Sequence, residues 1–312
     1  MDTFTHHCAQ LFLDWFNSRF GRAFVPQGGE VAGEATAVDG DDSLLLLAQP
    51  LYETGGPDWE ERRQALEDRL SGALHGAFAL WVPPKAPLPG LEPEESDFVR
   101  RVQLAAASLP PGGRAEAHLP VRLRLGRSRE EGAYVSVVGG LARHWTTISE
   151  QARGAFYLDS SAVHRVSADE ERRLALFHRI AEWCGRLEVG DGAELDGEDS
   201  WTAQRLPKAL DGFERTAIFG CPPSFDPTDG TNVRRLLRKR LSAASERFRQ
   251  EGPGPLRALA LVSIWEYTDE EGVTATLRGM DSALFSEIDV ITVLADGGVR
   301  MALSPRTLPW GK

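Results

Sequence analysis

Between residues 231 and 303 the hydrophobic period changes from that of a helix to that of strands, and this stretch restricts the fold more than any other. Val233, Leu236, Leu237, Leu241, Ala244 and Phe248 recur at spacings of three, four and seven, which is one stripe of a 3.6-residue helix. A Gly-Pro-Gly-Pro breaker at 252–255 separates that helix from LRALALVSIW at 256–265. This run is rich in apolar and β-branched residues, as expected of a strand buried on both faces. IDVITVL at 288–294 reads as a second such strand. Asp296, Gly297 and Gly298 offer the positive φ angles of a two-residue hairpin turn, which returns residues 299–303 antiparallel. The pattern predicts a helix laid on a mixed sheet.

The same helix carries Arg234, Arg235, Arg238, Lys239, Arg240, Arg247 and Arg249 in a chain whose formal net charge is -11. On a helical wheel Arg234, Arg235, Arg238, Lys239 and Arg249 point away from the apolar stripe, while Arg240 and Arg247 flank it and can snorkel. One reading is a face that tracks the phosphates of nucleic acid, because clustered arginine supplies the sequence-independent part of that affinity. The other is a face that pairs with carboxylates, either elsewhere in this chain or on an acidic protein partner.

At 312 residues the chain can bury a sizeable core as one large or two ordinary domains. Cys8, Cys184 and Cys221 are too few and too scattered for a disulfide framework, which favours a reducing cytoplasm. No charged start leads into an apolar segment and no apolar run reaches about 18 residues, so neither export nor membrane spanning is expected. Lysine occurs only at Lys85, Lys208, Lys239 and Lys312, and none precedes Ser or Thr, which excludes a P-loop.

Taken in order, 4–20 reads as a helix with an aromatic stripe ending at Gly21, and 30–38 and 43–53 as a hairpin turning at 39–42. A helix over 57–74 and a strand over 77–82 follow. Ser96 is placed to cap a helix reaching 109; 114–125 and 133–138 read as strands joined by a charged turn; 141–151 reads as helical and 155–158 as a strand. Ser167 and Glu170 have capping-box spacing before a helix that buries Leu174, Phe177, Ile180 and Cys184. Residues 188–199 read as an acidic loop and 201–206 as a strand.

The order helix, strand, acidic turn, strand, helix, strand over 4–82, closed by the basic helix and strands of 231–303, resembles the core of the restriction-endonuclease-like nucleases of the PD-(D/E)xK family. The resemblance is topological and covers about half the chain. It implies a divalent cation such as Mg²⁺ held by paired carboxylates, which would stabilise charge developing on a phosphodiester. Position assigns the catalytic acids to Glu34, Asp39, Asp41 and Glu53, with Asp39 and Asp41 as metal ligands; Asp42 and Gln49 fall at the same places. The sequence departs from the family in one respect: no acid stands two residues before any lysine.

Other chemistries lack their signatures. His6, His7 and Cys8 are consecutive on a helix and do not face one metal. Asp159, Ser160, Ser161 and His164 have triad composition but the spacing of a turn, and no G-x-S-x-G elbow is present. The acids of 188–199 lack the order of a calcium loop, and no G-x-G-x-x-G precedes a helix.

The expectation is therefore an α/β (α+β) protein with a mixed sheet flanked by helices, its core formed by 1–95 and 221–312, with an inserted α+β subdomain at 96–220. Its function is read as noncatalytic or accessory binding of a macromolecule through Arg234, Arg235, Arg238 and Lys239, without a cofactor. The alternative is a Mg²⁺-dependent nuclease.

Overall fold

The computed structural model describes residues 2–27, 31–90, 92–207, 213–225, 229–251, 254–264 and 270–304. The expected element ends at Glu30, Gly252, Pro253 and Trp265 lie outside them. Asp2 starts helix α1 (Thr3–Phe20) by accepting a hydrogen bond from the Thr5 backbone N–H at 2.9 Å, and Gly21 ends it in the left-handed conformation at φ 63°. Strands β1 (Val25–Pro26), β2 (Glu34–Asp39) and β3 (Asp42–Pro50) follow, β2 and β3 pairing antiparallel around Gly40 and Asp41. Helix α2 (Pro57–Ala73) opens on proline and buries Leu66, Glu67 and Leu70 before β4 (Phe78–Trp81). Helix α3 (Glu94–Ala106) starts two residues before Ser96, with Pro93 at its N-cap, so Ser96 lies inside the helix and does not cap it.

The chain folds as a larger unit, Met1–Ala115 with Thr202–Lys312, and a smaller one, Glu116–Trp201. The division expected from the sequence lies at 95/96 and 220/221. Helix α3 belongs to the larger unit because it packs on α2, where Arg69 pairs with Glu95 at 2.7 Å and Gln103 donates to the Ala73 carbonyl at 2.9 Å.

The smaller unit contains most of β5 (Arg114–Arg127), then β6 (Tyr134–Gly139), α4 (Trp145–Gln151), β7 (Ala155–Ser160), α5 (Glu170–Arg186) and the first ten residues of β8 (Gly192–Arg205). Strands β5 and β6 do not form a hairpin: β7 lies between them, parallel to β6 and antiparallel to β5. Helix α5 is capped by Asp169, whose carboxylate accepts from the Glu171 and Arg172 N–H groups; Ser167 bonds Glu116 instead. Phe177, Ile180 and Cys184 are buried as expected, while Leu174 faces outward. The expected acidic loop is mostly strand. Glu194, Asp196 and Glu198 point to solvent and Leu195, Gly197 and Asp199 point inward. At Gly197 a Cβ would fall 3.0 Å from Leu123 Cγ, so a larger residue would press on that side chain.

The larger unit resumes with β9 (Thr216–Phe219), α6 (Gly230–Glu251), β10 (Leu256–Val262), α7 (Glu270–Arg278), β11 (Val290–Ala295) and β12 (Gly298–Leu303). Its six-stranded mixed sheet has the order β1-β2-β3-β10-β11-β12. Strand β10 lies parallel to both β3 and β11, so the connection from β10 to β11 must cross over, and α7 supplies it. Asp296 and Gly297, at φ 47° and 74°, form the turn that returns β12 antiparallel. Helix α6 buries all six residues of its apolar stripe. Together with the α1 aromatics they join β3, β10 and β11 in one core. The chain is thus an α/β protein with mixed sheets flanked by helices. Among the described residues no helix is long and apolar enough to cross a membrane.

Helix α2 also finishes the β4–β9 pairing. Strand β9 runs parallel to β4, and its outward N–H groups at Thr216 and Ile218 donate to Ser71 Oγ at 2.9 Å and to the buried Glu67 carboxylate at 2.7 Å. Arg63 reaches the same carboxylate at 2.6 Å. Burial pushes the Glu67 carboxyl upward, against the opposing pull of Arg63.

His7 is buried on α1 with Nδ1 2.8 Å from the Thr3 carbonyl and Nε2 3.0 Å from the Arg215 carbonyl. A neutral ring carries one N–H and donates to only one of them. Burial, and secondarily His6, push its pKa down from 6.5 to about 4. The unfolded chain therefore binds a proton in that window that the native chain refuses. His7 weakens the fold progressively as pH falls through the window, by about 3 kcal/mol in all. In His7→Gln this part of the acid sensitivity should vanish, so the gap in urea midpoint between wild type and variant should shrink or reverse from about pH 7 to about pH 4. A gap that does not change with pH would refute the depressed value.

Candidate functional site

Helix α6 has no acid in its first turn, yet Arg234, Arg235, Arg238 and Lys239 all project from its N-terminal half into solvent. Cations there oppose the helix dipole, so local helix stability does not account for them. Arg235 pairs with Glu53, and Arg234 donates to the Gly279 carbonyl at 3.3 Å, at the end of α7 where Arg278 is also exposed. Arg238 and Lys239 form no side-chain hydrogen bond or ion pair with any described residue. The remaining arginines serve the fold. Arg240 Nε donates to the Pro50 carbonyl at 3.0 Å, and Arg247 grips both oxygens of Glu34, at 2.6 and 2.8 Å, together with Glu251. Arg249 lies 3.9 Å from Glu287.

The acids assigned by position do not converge. Glu34 starts β2 and is held by Arg247; Asp39 ends β2, about 17 Å away along the strand. Asp39 and Asp42 share Arg22, with Asp39 at 2.7 Å from its Nε, while Asp41 stands exposed in the turn. Glu53 belongs to the α6 face through Arg235. No group of three or more His, Cys, Asp or Glu side chains among the described residues could hold a metal ion. Asp39 is committed to the Arg22 guanidinium and Asp41 stands exposed in the turn, and neither belongs to a described group that could hold Mg²⁺.

The Asp-Ser-Ser-His turn is likewise structural. Ser161 donates its Oγ and its N–H to Asp159, whereas buried Ser160 donates to the Val138 carbonyl and accepts from the Leu141 N–H. His164 finds its carboxylate elsewhere. Asp199 Oδ2 lies 3.1 Å from His164 Nδ1 and 3.0 Å from Trp201 Nε1, and Oδ1 accepts the His164 and Arg165 N–H groups at 2.8 Å each. With four donors on one buried carboxylate, Asp199 fixes the loop before α5. Sequence reasoning missed it because it sits in an acidic run whose alternate members face solvent. No family model matches the chain, and no curated protein or solved structure matches it.

Proposed function

We propose that the chain is a noncatalytic, accessory protein that binds the phosphate backbone of nucleic acid through the exposed N-terminal half of α6. The observation that carries this reading is the set of four outward cations of which only Arg235 is balanced by a described carboxylate. Guanidinium groups suit phosphate because they donate in a planar fork, and their grouping compensates locally for a chain charge of -11. The three free, buried cysteines support a reducing compartment, the cytoplasm. Among the described residues no converged group of carboxylates supports the nuclease alternative.

Arg238→Glu with Lys239→Glu tests the proposal without touching an internal contact. Anisotropy with a fluorescent single-stranded oligonucleotide should show binding at low salt that weakens as salt rises. The double variant should bind at least about tenfold more weakly, and its salt slope should be smaller by about 1.4. Absence of binding at low salt, or equal binding by the variant, would overturn it. Capture of polyglutamate in place of the oligonucleotide would assign the face to an acidic protein.

A further inference from the structure

A cleft of about 620 Å³ opens in the larger unit, within the size range of small-molecule sites. Asp14, Trp15 and Arg19 of α1 line it, as do Arg114, Gln204 and Gly297. Its polar floor is built. Gln204 is 3% exposed, accepts from Trp81 Nε1 at 3.3 Å and donates to the Gly297 carbonyl at 3.2 Å. Arg114 donates to that same carbonyl. Gly297 is required on two counts, since it adopts φ 74° and a Cβ would fall 2.3 Å from Gln204 Oε1.

The chemistry on offer is specific. Neither Arg19 nor Arg114 forms an ion pair with a described residue, and Asp14 forms none either, so two guanidinium groups and one carboxylate leave the cleft cationic in an acidic chain. Trp15 is partly exposed, with its ring held edge-on against Phe16 and Phe20. An indole wall accepts a flat ring, paired guanidinium groups accept a phosphate, and a carboxylate accepts a sugar hydroxyl or ring amine. We infer that this cleft binds a free nucleoside monophosphate, with its phosphate on Arg19 and Arg114, its base on Trp15 and a ligand donor on Asp14. These residues are separate from the α6 face.

Calorimetric titration of the full chain with AMP, adenosine and inorganic phosphate tests the inference. AMP should bind, and each half-ligand should bind at least about tenfold more weakly. Arg19→Gln removes a side chain without internal hydrogen bonds among the described residues, so it should leave the melting temperature unchanged while weakening AMP by about tenfold or more; Arg19→Lys should recover part of the loss. No heat at about 1 mM AMP, phosphate binding as tight as AMP, or unaltered affinity in Arg19→Gln would each overturn the assignment. Tighter binding of a 5′-phosphorylated trinucleotide would overturn the restriction to a free mononucleotide.

Discussion

Asp199→Ala should lower the stability of the chain by about 4 kcal/mol, measured as the shift in urea unfolding free energy. The substitution strands four donors at once: the His164 and Arg165 backbone N–H groups, the His164 ring and the fully buried Trp201 indole. Each donor left without an acceptor costs about 1–3 kcal/mol, with the smaller end applying where water can enter beside His164. Asp199→Asn keeps one oxygen for the two backbone groups but turns an N–H₂ toward the indole or the imidazole. It should cost about half as much. If alanine costs under about 1 kcal/mol, this carboxylate is not the anchor of the loop before α5.

Glu67→Ala should also be damaging, at about 2–3 kcal/mol. The carboxylate faces Arg63 on its own helix and the Ile218 N–H on β9, so its loss leaves a strand edge unsatisfied beneath α2. Arg63 retains Glu60, at 2.8 Å, and is not orphaned. Glu67→Gln separates the two roles, because its amide oxygen can still accept from Ile218 while the charge is gone. A loss of only about 1 kcal/mol in the glutamine variant would identify the strand-edge hydrogen bond as the main contribution. Equal losses in both variants would instead identify the ion pair.

Where the sequence was readable, the signals were local. The stripe of α6, the apolar runs of β10 and β11 and the Asp-Gly turn before β12 each lie within a few residues, and all appear in the α/β fold. Helix α7 was not readable, because its nine residues carry only one buried apolar pair, Val273 and Leu277. Strand β9 has four residues, too few to show a period. Strand β8 was hidden by its inward Gly197 and Asp199, which break the expected alternation of apolar residues. The cationic face of α6 was legible, since a helical wheel separates outward from inward positions. Its partners were not, because Arg247 with Glu34 and Arg235 with Glu53 are joined by the tertiary fold across most of the chain length.

The parallel register of Leu44 with Leu256 carries a consequence for biosynthesis, since it pairs segments separated by roughly two hundred residues. On the ribosome the early hairpin emerges long before its central neighbour exists, and its apolar residues wait uncovered while the intervening chain is made. Burial of the early hairpin therefore depends on a strand made much later. A transcript cut short before β10 would yield a polypeptide whose first sheet has no middle, the kind of product that chaperones hold and proteases remove.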